Sequence, residues 1–294
     1  RYLAFVLFFI LYLFIVFANV IIIVVTAREN ALHEPMYIFI MCLAVNSLYG
    51  SAGFFLRFLR DLLSSSHLIS RPECFVQIYV IYTYGSFELS FLSVMAYDRY
   101  VAVCQPLHYH NKITKKTRVS VLGFLSWFIP LYCMFMNSAS LFGVKLCSSH
   151  IGKVYCVNWM IVTIACSPPR VNSMIAYFNI LLYFGHFVFI IWSYIYMIRS
   201  CLSSKEDQRR FMQTCLPHLI SLVVFSVTVL LDLMYMRFGQ VNVSPHLSNF
   251  MAIEFLLIPP FVNPFIYGFK LTKVWNRIAS VLHLKRKVTC QTLA

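Results

Sequence analysis

The chain has 294 residues, of which 60% are hydrophobic, 17% aromatic and only 12% charged, whereas soluble domains carry about 25% charged residues. That balance excludes a water-soluble domain and points to an integral membrane protein. The formal charge of +14 invites a nucleic-acid partner, but its distribution along the chain makes it a membrane signal and excludes that partner.

The first apolar run, Leu3 to Ala27, holds no charge across 25 positions, enough for a helix to cross a hydrocarbon core about 30 Å thick. Runs such as Ile21-Ile22-Ile23-Val24-Val25 and Leu222-Val223-Val224-Phe225 are apolar on every face. They lack the alternation of a spanning β-barrel, and helices satisfy their backbone groups within one segment. Apolar runs predict spans near 3–27, 36–60, 74–104, 119–141, 172–198, 212–236 and 249–269. The fold class is an all-α membrane protein, a seven-helix bundle over residues 1–270. Residues 271–294 form a separate tail, an amphipathic eighth helix plus a cytoplasmic end.

An odd number of spans puts the two ends on opposite sides. Of the 24 Lys and Arg residues, 16 fall on one side, among them Arg28, Lys112, Lys115, Lys116, Arg118, Lys205, Arg209, Arg210 and the basic tail. The positive-inside rule places that side and the C-terminus in the cytoplasm and the N-terminus outside. The same charges attract anionic lipid.

Few ionisable residues interrupt the spans, and inside a membrane such residues are functional candidates. Glu88 stands in the middle of the third span, Asp232 near the outer end of the sixth and Glu254 in the seventh. Glu88 must face the bundle interior, either protonated, holding a cation, or serving as a neutral interhelical hydrogen-bonding partner. Cys74 lies at the outer end of the third span. Cys147, Cys156 and Cys166 lie in the long outer loop after the fourth, where disulfides persist; four cysteines leave three pairings open. Asn242-Val243-Ser244 is an outside glycosylation sequon followed by Pro245. In the tail, Leu271, Val274, Trp275, Ile278, Val281 and Leu282 recur at helical spacing between Lys273, Arg277 and Lys285, a pattern suited to the inner leaflet. Cys290 beyond it is a candidate palmitoylation site.

At the inner end of the third span the chain reads Met95-Ala96-Tyr97-Asp98-Arg99-Tyr100-Val101-Ala102-Val103-Cys104-Gln105-Pro106-Leu107-His108-Tyr109. This resembles, almost letter for letter, the signature of odorant receptors, a branch of the rhodopsin-like G-protein-coupled receptors. Further matches run along the chain: Leu32-His33-Glu34-Pro35-Met36-Tyr37, Ser193-Tyr194, Thr214-Cys215 with His218, and Pro260 followed by Asn263-Pro264-Phe265-Ile266-Tyr267. The spacing of the loop cysteines is also similar, and the resemblance implies the pairs Cys74 with Cys156 and Cys147 with Cys166. It implies too that Asp98, Arg99, Tyr100, Tyr194, His218, Asn263, Pro264 and Tyr267 carry activation and G-protein coupling.

There are departures. The family's acidic residue in the second span is Ser47 here, beside Asn46, so the family's presumed sodium site would consist of Glu88, Ser47 and Asn46. Phe225-Ser226-Val227 stands where the family has Phe-Tyr-Gly, and Arg210-Phe211 where it has Lys-Ala. Pro217 beside His218 should bend the sixth span near its cytoplasmic end.

The resemblance implies a plasma-membrane receptor for olfaction that binds a small odorant and activates a heterotrimeric G protein of the stimulatory or olfactory type. No enzymatic function is expected, no metal, and no cofactor beyond Na+ near Glu88. The usual ligand cavity of this architecture lies between the third, fifth, sixth and seventh spans, where Tyr79, Tyr82, Thr83, Ser86, Phe178, Asn179, Val229, Leu233 and Ile253 are candidates. Arg237, at the outer end of the sixth span, is suited to an acidic or zwitterionic ligand because a guanidinium binds carboxylates through two bonds. A non-olfactory rhodopsin-like receptor is the nearest alternative. A transporter would show inverted repeats and interrupted half-helices, and an intramembrane enzyme a nucleophile with its base or a His-Glu-x-x-His pair; the chain has neither pattern.

Overall fold

Apolar runs long enough to cross a bilayer have become long helices. The computed structural model describes residues 1–105, 116–151, 154–167, 169–201, 215–238 and 245–270. Its α-helices are α1 (Tyr2–Arg28), α2 (Pro35–Leu63), α3 (Arg71–Cys104), α4 (Lys116–Ala139), a short loop helix α5 (Asn158–Thr163), α6 (Arg170–Cys201), α7 (Leu216–Phe238) and α8 (Pro245–Lys270). All but α5 coincide with the seven expected spans, most running a few residues past the apolar stretch. Five of them, α1, α2, α3, α4 and α6, are long and apolar enough to cross a membrane. The apolar parts of α7 and α8 are shorter, Leu216–Asp232 and Ile253–Gly268. The amphipathic segment 271–284, Cys290 and the Asn242 sequon lie outside the described residues.

Local sequence explains the helix ends. Pro35 opens α2 at a position whose N–H would be unpaired in any case. Ser70 caps α3 reciprocally: its hydroxyl accepts from the Glu73 backbone N–H at 3.3 Å, and the Ser70 N–H donates to the Glu73 carboxylate at 3.2 Å. Pro217 stands in the first turn of α7 as described, where a missing N–H removes no helical bond; the chain just before Cys215, on which the expected bend depends, lies outside the described residues.

The bundle is apolar outside as well as in its core, and a set of polar side chains is buried among the apolar ones, unlike the surface of a soluble protein. Leu3, Leu7, Leu181 and Phe184 are exposed, whereas Asn19, Asn46, Thr83, Glu88, Ser193, Ser221 and Asn263 are buried. α3 runs through the middle, packed on α2, α4, α6 and α7, while α8 packs against α1, α2 and α7. Small residues set the α2–α3 approach. A Cβ on Gly50 would lie 2.3 Å from the Tyr84 ring and one on Gly53 2.2 Å from Val80, so the backbones come as close as glycine allows.

Proline supplies a second tie. Pro264 lacks the N–H that would bond the carbonyl four residues back, at Pro260. That carbonyl accepts instead from the Asn19 side-chain amide of α1 at 3.0 Å. The same amide bonds the Ile15 carbonyl at 2.8 Å.

The loop from α4 to α6 is pinned to one end of the bundle. Cys74 of α3 is bonded to Cys156, and Cys147 to Cys166, the two pairs implied by the family resemblance. Inside the second pair an antiparallel bridge joins Leu146 and Ala165, with the Cys147 N–H donating to Ile164 at 2.9 Å and the Cys166 N–H to Lys145 at 2.9 Å. Gln77 of α3 accepts from the Cys156 N–H at 3.0 Å. At this same end Arg57 of α2 pairs with Asp61 at 2.8 Å and with Glu73 of α3 at 3.1 Å.

Candidate functional site

Three polar centres lie along the bundle axis: one midway, one at the Asp98–Arg99 end and one at the disulfide end. Midway, the Glu88 carboxylate is fully buried and both its oxygens accept carboxamide donors. Asn46 of α2 donates to Oε2 at 2.9 Å, and Asn263 of α8 donates to Oε1 at 2.7 Å. Ser221 of α7 extends the chain by donating to Asn263 Oδ1 at 2.8 Å, and Asn46 also reaches the Tyr84 carbonyl at 3.1 Å. One chain of hydrogen bonds therefore joins four helices. On α2, Asn46 Oδ1 and the hydroxyls of Ser47 and Ser51 are buried without a hydrogen-bond partner. Such oxygens suit a hard cation, which binds oxygen ligands.

At the second centre Asp98 is buried and takes the Arg99 guanidinium, with Nε donating to Oδ2 at 2.9 Å. A second guanidinium nitrogen also reaches Oδ2. The Arg99 charge acts on Tyr194 of α6 and His218 of α7. His218 is buried with neither ring nitrogen hydrogen-bonded, and its ring lies 5.5 Å from that of Tyr267 on α8. Tyr194, Tyr267, Cys215 and Met95 share one apolar cluster. The coupling candidates thus gather from α3, α6, α7 and α8. Tyr100 turns the other way, its ring 5.5 Å from Trp192 of α6. Asn263 and Pro264 belong to the midway centre and the α1–α8 tie.

At the disulfide end the ligand candidates divide. Tyr82 packs with Ile253, Tyr155 and Leu256 in one apolar cluster, Val229 against the larger one. Thr83 and Ser86 are buried, and each hydroxyl donates to the carbonyl one turn back, at Tyr79 and Tyr82. Tyr79 faces α4, its hydroxyl 3.5 Å from the Leu131 carbonyl. Phe178 departs from the expected inward position: it is 61% exposed on the outside of the bundle. Its neighbour Asn179 is buried with both amide atoms unpartnered, at a groove of about 300 Å³ between α4 and α6. The side chains of Leu233 and Arg237 lie outside the described set.

Sequence reading passed over Asn19, Ser221, Gln77 and Tyr155. The signal for Asn19 was present, as an amide inside a 25-residue apolar run. Ser221 and Gln77 had none, because a lone serine within a span and a glutamine near a span end are both ordinary. Tyr155 became legible only once the Cys74–Cys156 bond had placed its loop over the helices.

Comparison with known proteins agrees with this arrangement. The family model described as olfactory receptor matches residues 8–285. The chain is 31% identical to olfactory receptor 51L1 of Homo sapiens, over 96% of this chain and 90% of that one. It is similar to the human olfactory receptors 51G1, at 31% identity over 95% of this chain and 88% of the relative, and 52D1, at 30% over 93% and 87%.

Proposed function

The chain belongs to the olfactory receptor family, and from that premise we propose that it binds a small extracellular odorant and activates a stimulatory or olfactory-type heterotrimeric G protein. Its relatives are signalling receptors, not enzymes, and it is a multi-pass membrane protein. The proposed orientation has the N-terminus and the disulfide loop outside and the Asp98–Arg99 end in the cytoplasm, following the basic residues. This loop position also suits an oxidising compartment.

A receptor makes no bonds; it needs two helix arrangements that ligand and partner favour together. The observation that carries this reading is the buried Asp98 clasping Arg99 at the end opposite the disulfides. In the resting arrangement the guanidinium is held within α3. In the active one it is released to the G protein, with Tyr194, His218 and Tyr267 rearranging beside it. Glu88 couples the two ends, since α3 cannot move against α8 without disturbing its bond to Asn263. A sodium ion beside Glu88, held by the free oxygens of Asn46 and Ser47, would favour one arrangement by its charge. The proposed ligand lies among Tyr82, Thr83, Ser86, Val229 and Ile253, with Arg237 receiving an acidic or zwitterionic group.

The test is cyclic AMP in cells carrying an olfactory-type stimulatory G protein, challenged with volatile and carboxylate panels. Arg99→Ala should abolish the response while surface expression persists; an unchanged response would sink the coupling role. Arg237→Ala should raise the half-maximal concentration of a carboxylate agonist about tenfold or more, as expected for loss of a charge-assisted bond.

A further inference from the structure

Two carboxylates in the disulfide half of the bundle have no part in the centres assigned above. Asp232 on α7 and Glu254 on α8 are 7% and 5% exposed, inside helices that otherwise show lipid an apolar surface. Tyr155, brought in by the loop that Cys156 anchors to α3, donates its hydroxyl to Asp232 Oδ1 at 3.3 Å. Tyr155 also packs in one apolar cluster with Ile253 and Phe255, the residues on either side of Glu254, and the Asp232 charge reaches both Glu254 and Tyr82.

Glu254 is the informative member. Its Oε1 is buried and has no hydrogen-bond partner, whereas Glu88, the other acid in mid-bundle, has each oxygen occupied by a carboxamide. In an apolar interior a carboxyl group either takes up a proton or meets a donor, and a pair of acids is best answered by a cationic donor. The donor would sit beside the phenols of Tyr82 and Tyr155, which pack with Ile253, Phe255 and Leu256 in one apolar cluster.

We infer that Asp232 and Glu254, with Tyr155, seat the ammonium group of a small organic ligand. An ammonium brings three donors and a positive charge and is attracted to aromatic faces, matching an acid pair flanked by phenols. A metal ion fits less well. Among the described residues no three His, Cys, Asp or Glu side chains gather, while calcium takes six to eight oxygens. The inference rests on the receptor reading and narrows it. Of the acidic and zwitterionic ligands suited to Arg237, it selects those that also carry an amine.

The test pairs ligands that differ only in the amine: alanine against propionate, and propylamine against propan-1-ol. Two readouts are taken, the thermal stability of the detergent-solubilised full-length protein and cyclic AMP in cells. The amine-bearing member of each pair should stabilise the protein at a concentration at least about tenfold lower than its partner. Glu254→Gln, which keeps shape and removes charge, should erase that difference while surface expression and the unliganded melting temperature are retained or raised. Equal or better stabilisation by propionate and propan-1-ol would overturn the inference, as would silence of all four or an amine preference that survives in Glu254→Gln. Stabilisation by the amines without cyclic AMP would uphold the site and count against the coupling reading. Cyclic AMP driven only by amine-free ligands would do the reverse.

Discussion

Glu88 accepts one bond from α2 and one from α8, so its replacement orphans donors on two neighbours. An orphaned buried donor costs about 1–3 kcal/mol. Glu88→Gln keeps one acceptor and should lower unfolding stability by about that amount, and Glu88→Ala by roughly twice as much; thermal unfolding in detergent, read as the order wild type, Gln, Ala, checks this. Glu88 and Asn46 were legible as polar residues in apolar runs, and Asn263 through its motif. What sequence could not supply was direction. In a bilayer the lipid-facing and core-facing sides of a helix are both apolar, so the pattern along α6 does not separate Phe178, which turns outward, from Asn179, which turns in. The same ambiguity hid the turn of Tyr79 toward α4.

At the scale of elements, spans were readable because length and hydropathy are properties of a segment alone, while contacts between segments were not. The α2–α3 crossing depends on Gly50 meeting a fully buried Tyr84 ring, a relation invisible until both helices are placed. Gly50→Val should force the helices apart, lowering stability by about 1–3 kcal/mol and reducing the surface-expressed fraction measured by flow cytometry; full expression and unchanged melting would refute the close approach. The Cys74–Cys156 bond closes a separation of 82 residues, for which chain entropy suggests about 4–5 kcal/mol. Cys74→Ser should therefore lose surface expression, read by an extracellular antibody. The cysteines were legible in place but open in pairing until the family resemblance proposed one, which the structure bears out.

For the molecule as a whole, charge decides which way the bundle sits. With 16 of 24 basic residues on the Asp98–Arg99 side, an epitope at the N-terminus should bind antibody on intact cells and one at the C-terminus only after permeabilisation. The opposite staining would invert the topology and remove Arg99 from its proposed partner. The outer surface needs no other explanation than lipid: its exposed Leu, Ile and Phe side chains are solvated by acyl chains, and the buried polar side chains are where motion between helices must be negotiated.

One such negotiation is already built into α8. Because the Pro260 carbonyl holds the Asn19 amide at 3.0 Å instead of a backbone N–H, α8 is divided at Pro264 into a segment latched to α1 and a segment bearing Tyr267 beyond it. The latch makes α1 a fixed post and the proline a pivot. A swing of the Tyr267 segment can then proceed without unwinding the helix, and α1 feels it through the Phe14 ring, which stacks 5.7 Å from Phe265 just past the pivot.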